Sequence, residues 1–259
     1  MKRTRLLLIS AALLALACGA AAEAGAETPS IATAGNLELA IEGGLTPKLL
    51  PSRQLAPVTL HVDGLLRTAD GSPPPALRQI VLDSDRNAVV NAAGLPACSA
   101  GKLRATSTEQ AIAACPKAIV GRGTTEVEVA FPEQAPFTAV GPLVFFNGGV
   151  RGGTTTVYAH AYVSVPAPTA VVVTLKVTKE SKGRFGLHTV ATVPLIAGGA
   201  GSVVAFDLKI DRTFEYRGER MSFLEARCVG GHFVAAPTFE FRDGSKVAAT
   251  IVRSCQAEN

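Results

Sequence analysis

Val204-Ala205-Phe206-Asp207-Leu208-Lys209-Ile210-Asp211 places Val204, Phe206, Leu208 and Ile210 at every second position, with Ala205, Asp207, Lys209 and Asp211 between them. Successive side chains of a strand point to opposite faces, so this octet is a strand with one face toward a core and one toward water. Short runs of the same kind recur along the chain, spaced by Gly, Pro, Asp and Asn at roughly ten-residue intervals. They cover 36–42, 58–62, 125–131, 143–146, 154–165, 170–178, 187–194, 203–214, 221–227, 233–242 and 247–254. This many strands need two packed layers, and the expectation is an all-β, two-sheet sandwich, Ig-like in broad architecture.

The last hairpin is legible in detail. Phe239 and Phe241 alternate with Glu240 and Arg242 before Asp243-Gly244, a pair suited to the positive φ angles of a tight turn. In a C-terminal meander built this way the strands ending at Cys228 and Cys255 run parallel with one strand between them. Two inter-strand spacings exceed the reach of a disulfide. Pairing them therefore predicts that the last strand crosses to the other sheet or that the Cys-bearing ends curl together. One short helix is expected near residues 107–115: Ser107 and its Thr neighbours offer a cap, Glu109 and Gln110 complete a capping box, and Pro116 ends the run. Pro166-Ala167-Pro168 marks a subdivision or, as the closely flanking strands favour, a stiff connection inside one domain covering 27–259.

The first 26 residues have a separate logic. Lys2, Arg3 and Arg5 precede the apolar run Leu6–Ala17, and small-x-small sites end at Ala22, Ala24 and Ala26. A basic start, an apolar middle and a small-residue end make residues 1–26 a removable signal peptide. The competing reading is a lipoprotein leader in which Cys18 becomes the lipidated first residue. Either way the chain is expected outside the cytoplasm, extracellular or in the cell envelope, with no transmembrane segment after signal removal. Losing Lys2, Arg3, Arg5 and Glu23 takes 25 basic and 21 acidic residues to 22 and 20, a net charge of +2. Without a clustered basic face, no nucleic-acid partner is expected.

Removal of the leader also reduces five cysteines to four: Cys98, Cys115, Cys228 and Cys255. An even number in an exported chain reads as two disulfides, with three possible pairings. Neighbour pairing, Cys98 with Cys115 and Cys228 with Cys255, is favoured because each pair brackets one local unit.

Motifs that would carry chemistry are weak. Gly148–Gly153 fits neither a dinucleotide fingerprint nor a P-loop and reads as a hairpin; no Gly-x-Ser-x-Gly elbow occurs. His61, His160, His188 and His232 are too scattered to form a zinc motif. Asp83, Asp85 and Asn87 alternate like calcium ligands, but Ala88 stands where the loop turns on Gly, and a solvated turn is the better reading. Glu126 and Glu128 share a strand face, as exposed carboxylates commonly do. The most distinctive local feature is Tyr158, His160 and Tyr162, which period two puts on one face as a small ligand-binding surface or, more ordinarily, a packed stripe.

The stretches Leu50–Val58, Gly94–Cys98, Phe131–Phe137 and Ala226–Cys228 resemble a group of uncharacterised secreted proteins of actinobacteria. The resemblance spans most of the mature chain, agrees with export and two cysteine pairs, and implies no activity or site residues. The sequence thus favours a non-catalytic secreted or envelope-associated binding or structural protein, with no cofactor and a cell-wall or surface component as candidate partner. The alternatives are a secreted hydrolase with a site assembled from scattered residues, and a calcium- or small-ligand-binding module.

Overall fold

The computed structural model describes residues 28–132, 134–164 and 167–258; the expected signal peptide and Cys18 lie outside them. Its strands are β1 (Ser30–Ala34), β2 (Leu37–Thr46), β3 (Leu49–Pro51), β4 (Ala56–Pro57), β5 (Thr59–Thr68), β6 (Leu77–Asp85), β7 (Ala88–Val90), β8 (Ile119–Val129), β9 (Phe137–Arg151) and β10 (Thr154–Val163). They continue with β11 (Thr169–Lys182), β12 (Phe185–Thr192), β13 (Gly201–Ile210), β14 (Thr213–Tyr216), β15 (Glu219–Ser222), β16 (Leu224–Ala226), β17 (His232–Phe241), β18 (Lys246–Ala248), β19 (Ile251–Ser254) and β20 (Gln256–Glu258). Two short helices, α1 (Ala100–Leu103) and α2 (Thr108–Ala114), precede β8.

The fold is all-β, as the alternation requires. Its strands follow one hydrogen-bonded path, β1-β2-β5-β13-β8-β9-β10-β11-β12-β6-β17-β18, with β19 also on β17. The path curls until β1 and β18, its two ends, lie alongside each other. The result is a nearly closed antiparallel barrel. The expected split into two packed sheets is not seen in this ladder. Strand twist accumulates across so many strands, and curling brings the edges together instead of leaving them exposed. Bulges at Thr156/Val157, Lys179/Lys182, Phe185/Leu187 and Val203/Ala205 supply local bends.

Two local expectations change. The residues read as a solvated turn, Asp83 to Asn87, include the end of β6, a wall strand between β12 and β17. The C-terminal meander does switch sheets, but its first strand moves, not its last. β16 leaves the barrel to pair with β4 and β7, while β18 and β19 both stay on β17. Gly230 and Gly231, at φ 76° and 77°, turn the chain between them. Cys228 and Cys255 then meet with Cα atoms 5.9 Å apart, and Cys98 and Cys115 with theirs 5.7 Å apart, both disulfide-bonded as favoured.

The expected helix is α2. Ser107 Oγ accepts from the Gln110 amide, the Gln110 side chain accepts from the Ser107 amide, and Cys115 closes the helix before Pro116. The turn α1, which the sequence reading did not include, packs Leu103 beside Ala111, Val144, Phe146 and the Cys98–Cys115 bridge. Together they cover the outer face of β9 and β10. The Asp243-Gly244 turn joins β17 to β18, with Gly244 at φ 91° and Asp243 Oδ1 accepting from the Ser245 amide at 2.9 Å. Gly152 and Gly153 turn β9 into β10 as a hairpin.

Candidate functional site

One end of the barrel is solid. Leu39, Val127, Val129, Phe239, Phe241 and Val247 fill it, together with neighbours on the same strands. Beyond this plug the inward residues no longer meet across the barrel. They enclose a cavity of about 370 Å³. Its wall is built by period-two alternation: Leu60 and Val62 from β5, Ile80 and Leu82 from β6, Leu175 and Val177 from β11, Phe206 and Leu208 from β13. Gly64 on β5 faces Phe206 on β13, and a Cβ there would lie 2.1 Å from the ring. The missing side chain lets the ring lie against the wall, where it stacks toward Phe239 with ring centres 6.4 Å apart.

The far end is closed by the small sheet β4-β16-β7, which contributes Val89, Val90 and Leu224 to the cavity. This cover is tied down at two places. The Cys228–Cys255 bridge links the second residue after β16 to the wall beside β19, within a cluster that includes Leu50, Val58 and Phe233. Asp85, at the end of β6, accepts from Asn87 Nδ2 at 2.9 Å, from the Val234 amide at 3.2 Å and from Arg184 at 3.2 Å. Asn87 in turn accepts from Arg227 Nε at 3.1 Å. Asp85 and Asn87, read above as calcium-type ligands, thus fasten the cover to the barrel rim. Their oxygens are already taken by protein donors.

The barrel seam runs between β2 and β19, where no ladder forms. Arg253 crosses it. Its guanidinium donates to Ile41 O at 3.0 Å, to Gly43 O and to Ser30 Oγ at 3.1 Å, with the side chain nearly all buried. Four charged residues border the cavity: Asp85 and Arg253 serve closure, Glu225 accepts from the Ser222 amide at 3.3 Å, and the Glu42 side chain is exposed.

Asp83, two residues before Asp85 on β6, lies on the outer wall. Its Oδ1 accepts from His188 Nδ1 at 2.6 Å and its Oδ2 from Lys182 Nζ at 3.4 Å. Partial burial opposes ionisation, but these donors prevail and hold the carboxyl below its ordinary value. A second outer cluster joins Glu42, Asp63 and Asp207, directly opposite one another on β2, β5 and β13. His61 Nε2 lies 2.9 Å from Asp207. Desolvation, then the contact with Asp207, raises the Asp63 carboxyl. His61, Asp63 and Asp207 are each about half exposed, at 49%, 47% and 44%.

Tyr158, His160 and Tyr162 share the outward face of β10, as period two placed them. That face lies under the helical cap. His160 is fully buried, its Nε2–H donates to Thr106 O at 3.1 Å, and Tyr158 packs into the cluster around the Cys98–Cys115 bridge. Burial lowers the imidazole's proton affinity. Tyr158 and His160 thus pack on the opposite side of the wall from the cavity, with Tyr162 partly exposed beside them. The cavity itself escaped sequence reasoning. Inward apolar residues look alike whether they touch across a core or stand apart around a space. Compared with known proteins, the chain matches no family model, no curated sequence and no solved structure, so the site is read from its own geometry.

Proposed function

We propose that this protein is a non-catalytic binding protein that holds one small, largely apolar molecule inside its barrel and acts outside the cytoplasm. The observation that carries the reading is the cavity of about 370 Å³ with an almost wholly aliphatic and aromatic wall. Ligand sites are concave, mostly apolar spaces of roughly 300–1,000 Å³, and large barrels enclose such spaces where small ones fill with side chains. An uncharged or weakly polar occupant fits, because a charged one would lose its hydration against an almost wholly apolar wall. Two disulfides and the basic-apolar leader agree with an oxidising, exported setting. The resemblance to secreted actinobacterial proteins points the same way.

The test is titration of the purified protein with N-phenyl-1-naphthylamine, an apolar fluorophore, followed by displacement with fatty acids and terpenoids of graded length. Saturable binding at one probe per chain is expected. Leu175→Trp and Val177→Phe, which add bulk inside the cavity, should weaken it at least tenfold. Tyr162→Phe, outside the cavity, should leave it unchanged. No saturable binding, or binding indifferent to both wall substitutions, would sink the reading.

A further inference from the structure

We propose that Asp83, Glu180 and His188 form a Zn2+ site on the outer wall of the barrel. The three come from adjacent strands β6, β11 and β12, and one ligand atom from each lies within 4.8 Å of the others. Their placement is a product of register. His188 is directly opposite both Asp83 and Thr178, and the bulge after Lys179 brings Glu180 alongside.

The partners of the two carboxylates are unequal. On Asp83 the His188 N–H, at 2.6 Å, and the Lys182 ammonium, at 3.4 Å, supply positive charge. On Glu180 nothing does: its Oε1 is shut off from solvent and accepts no hydrogen bond. A buried carboxylate oxygen without a donor is costly. Protonating His188 does not repair it, since the Nδ1 proton is already directed at Asp83. A cation among the three would give the Glu180 carboxylate the positive partner it lacks. The acidic row at Glu42, Asp63 and Asp207 lacks this feature, because its side chains are about half exposed and hydrated.

One imidazole nitrogen and two carboxylate oxygens suit Zn2+ with water in its fourth position, whereas Ca2+ takes six to eight oxygens. On binding, the metal takes the His188 Nδ1 lone pair: the Nδ1 proton leaves to solvent, Nε2 gains one so that the ring stays neutral, and Lys182 withdraws from Asp83.

Calorimetric titration of the purified, metal-stripped protein with ZnCl2 tests this, with CaCl2 as comparator. One equivalent of Zn2+ is expected to bind, at least tenfold more weakly in Glu180→Gln and in His188→Ala. Lys182→Ala should bind several-fold more tightly, because the competing ammonium is gone; a purely structural Lys182–Asp83–His188 network predicts no such gain. Should a ligand variant fail to fold, imidazole 15N resonances of the unaltered protein decide. Zn2+ should shift those of His188 and leave those of His61, His160 and His232 in place. Absence of saturable Zn2+ binding, equal affinity for Ca2+, or shifts at His61 instead would overturn the site.

Discussion

Glu240 sits nearly buried on the outer wall and gathers three donors from two strands: Arg78 and Gln79 Nε2, the latter at 2.8 Å, from β6, and Lys246 Nζ at 2.7 Å from β18. The Lys246 hydrogen bond is the main reason its carboxyl lies below the ordinary value of 4.5, with Arg78 and Gln79 adding to it against desolvation. A folded-state affinity for protons lower than that of the unfolded chain stabilises the fold above the ordinary value. That contribution is lost as the pH falls through the lower folded value. Thermal melts from pH 7 to pH 2 should therefore show a steep loss below pH 4.5, and Glu240→Gln should flatten part of it while melting lower at pH 7. Parallel curves for the two proteins would show that the carboxylate is not responsible. At this scale the sequence showed which residues share a strand face, as with Tyr158, His160 and Tyr162, but not what covers that face. His160 is buried because α1 and α2 fold over β10, a contact between segments some 50 residues apart that spacing along one strand does not encode.

Among the elements, strands with strict alternation and the capped helix α2 were legible, because their signals are local: period two, a Ser cap with Gln three residues on, a Pro stop. Strand β6 was missed: it ends in Asp83, Ser84 and Asp85, poor strand formers whose pairing with β12 and β17 overrides their local preference. Disulfide reach called for a crossing of the last strand or a curling together of the Cys-bearing ends, and it is the first strand, β16, that leaves the sheet. Two of these elements can be probed directly. Arg253→Met should cost about 3 kcal/mol in urea unfolding, since it leaves the carbonyls of Ile41 and Gly43 without their donor inside the seam. Hydrogen exchange should quicken first in β1, β2 and β19. A loss below about 1 kcal/mol would mean that apolar packing alone closes the barrel. The Cys228→Ala/Cys255→Ala pair frees the cover sheet from the wall. Chain-entropy reasoning for the 27-residue separation gives a loss of about 3.5 kcal/mol. Stopped-flow measurement of probe release should show faster escape from this variant than from Cys98→Ala/Cys115→Ala, whose bridge lies away from the cover. Equal release rates would argue that the cover is not a gate.

For the whole molecule, the proposed occupant acts as part of the fold. A ligand that binds only the folded barrel stabilises it by about 2.7 kcal/mol at a hundredfold excess over Kd. In a domain of this size that is a rise of about 5–10 °C in melting temperature. Differential scanning calorimetry with the tightest displacer should show that rise in the parent protein and little of it in Leu175→Trp. The sequence by itself determined the all-β class, the alternation of wall strands such as β10 and β13, and the capped helix, and it favoured the pairing of neighbouring cysteines. Each of these depends on residues close together in the chain. Whether the strands formed two sheets or one barrel, whether their inward residues met or stood apart, and which carboxylates faced a histidine were decided only by the tertiary structure. Those outcomes follow from strand order, register and accumulated twist, which bring together residues as far apart as Ile41 and Arg253, 212 positions from each other.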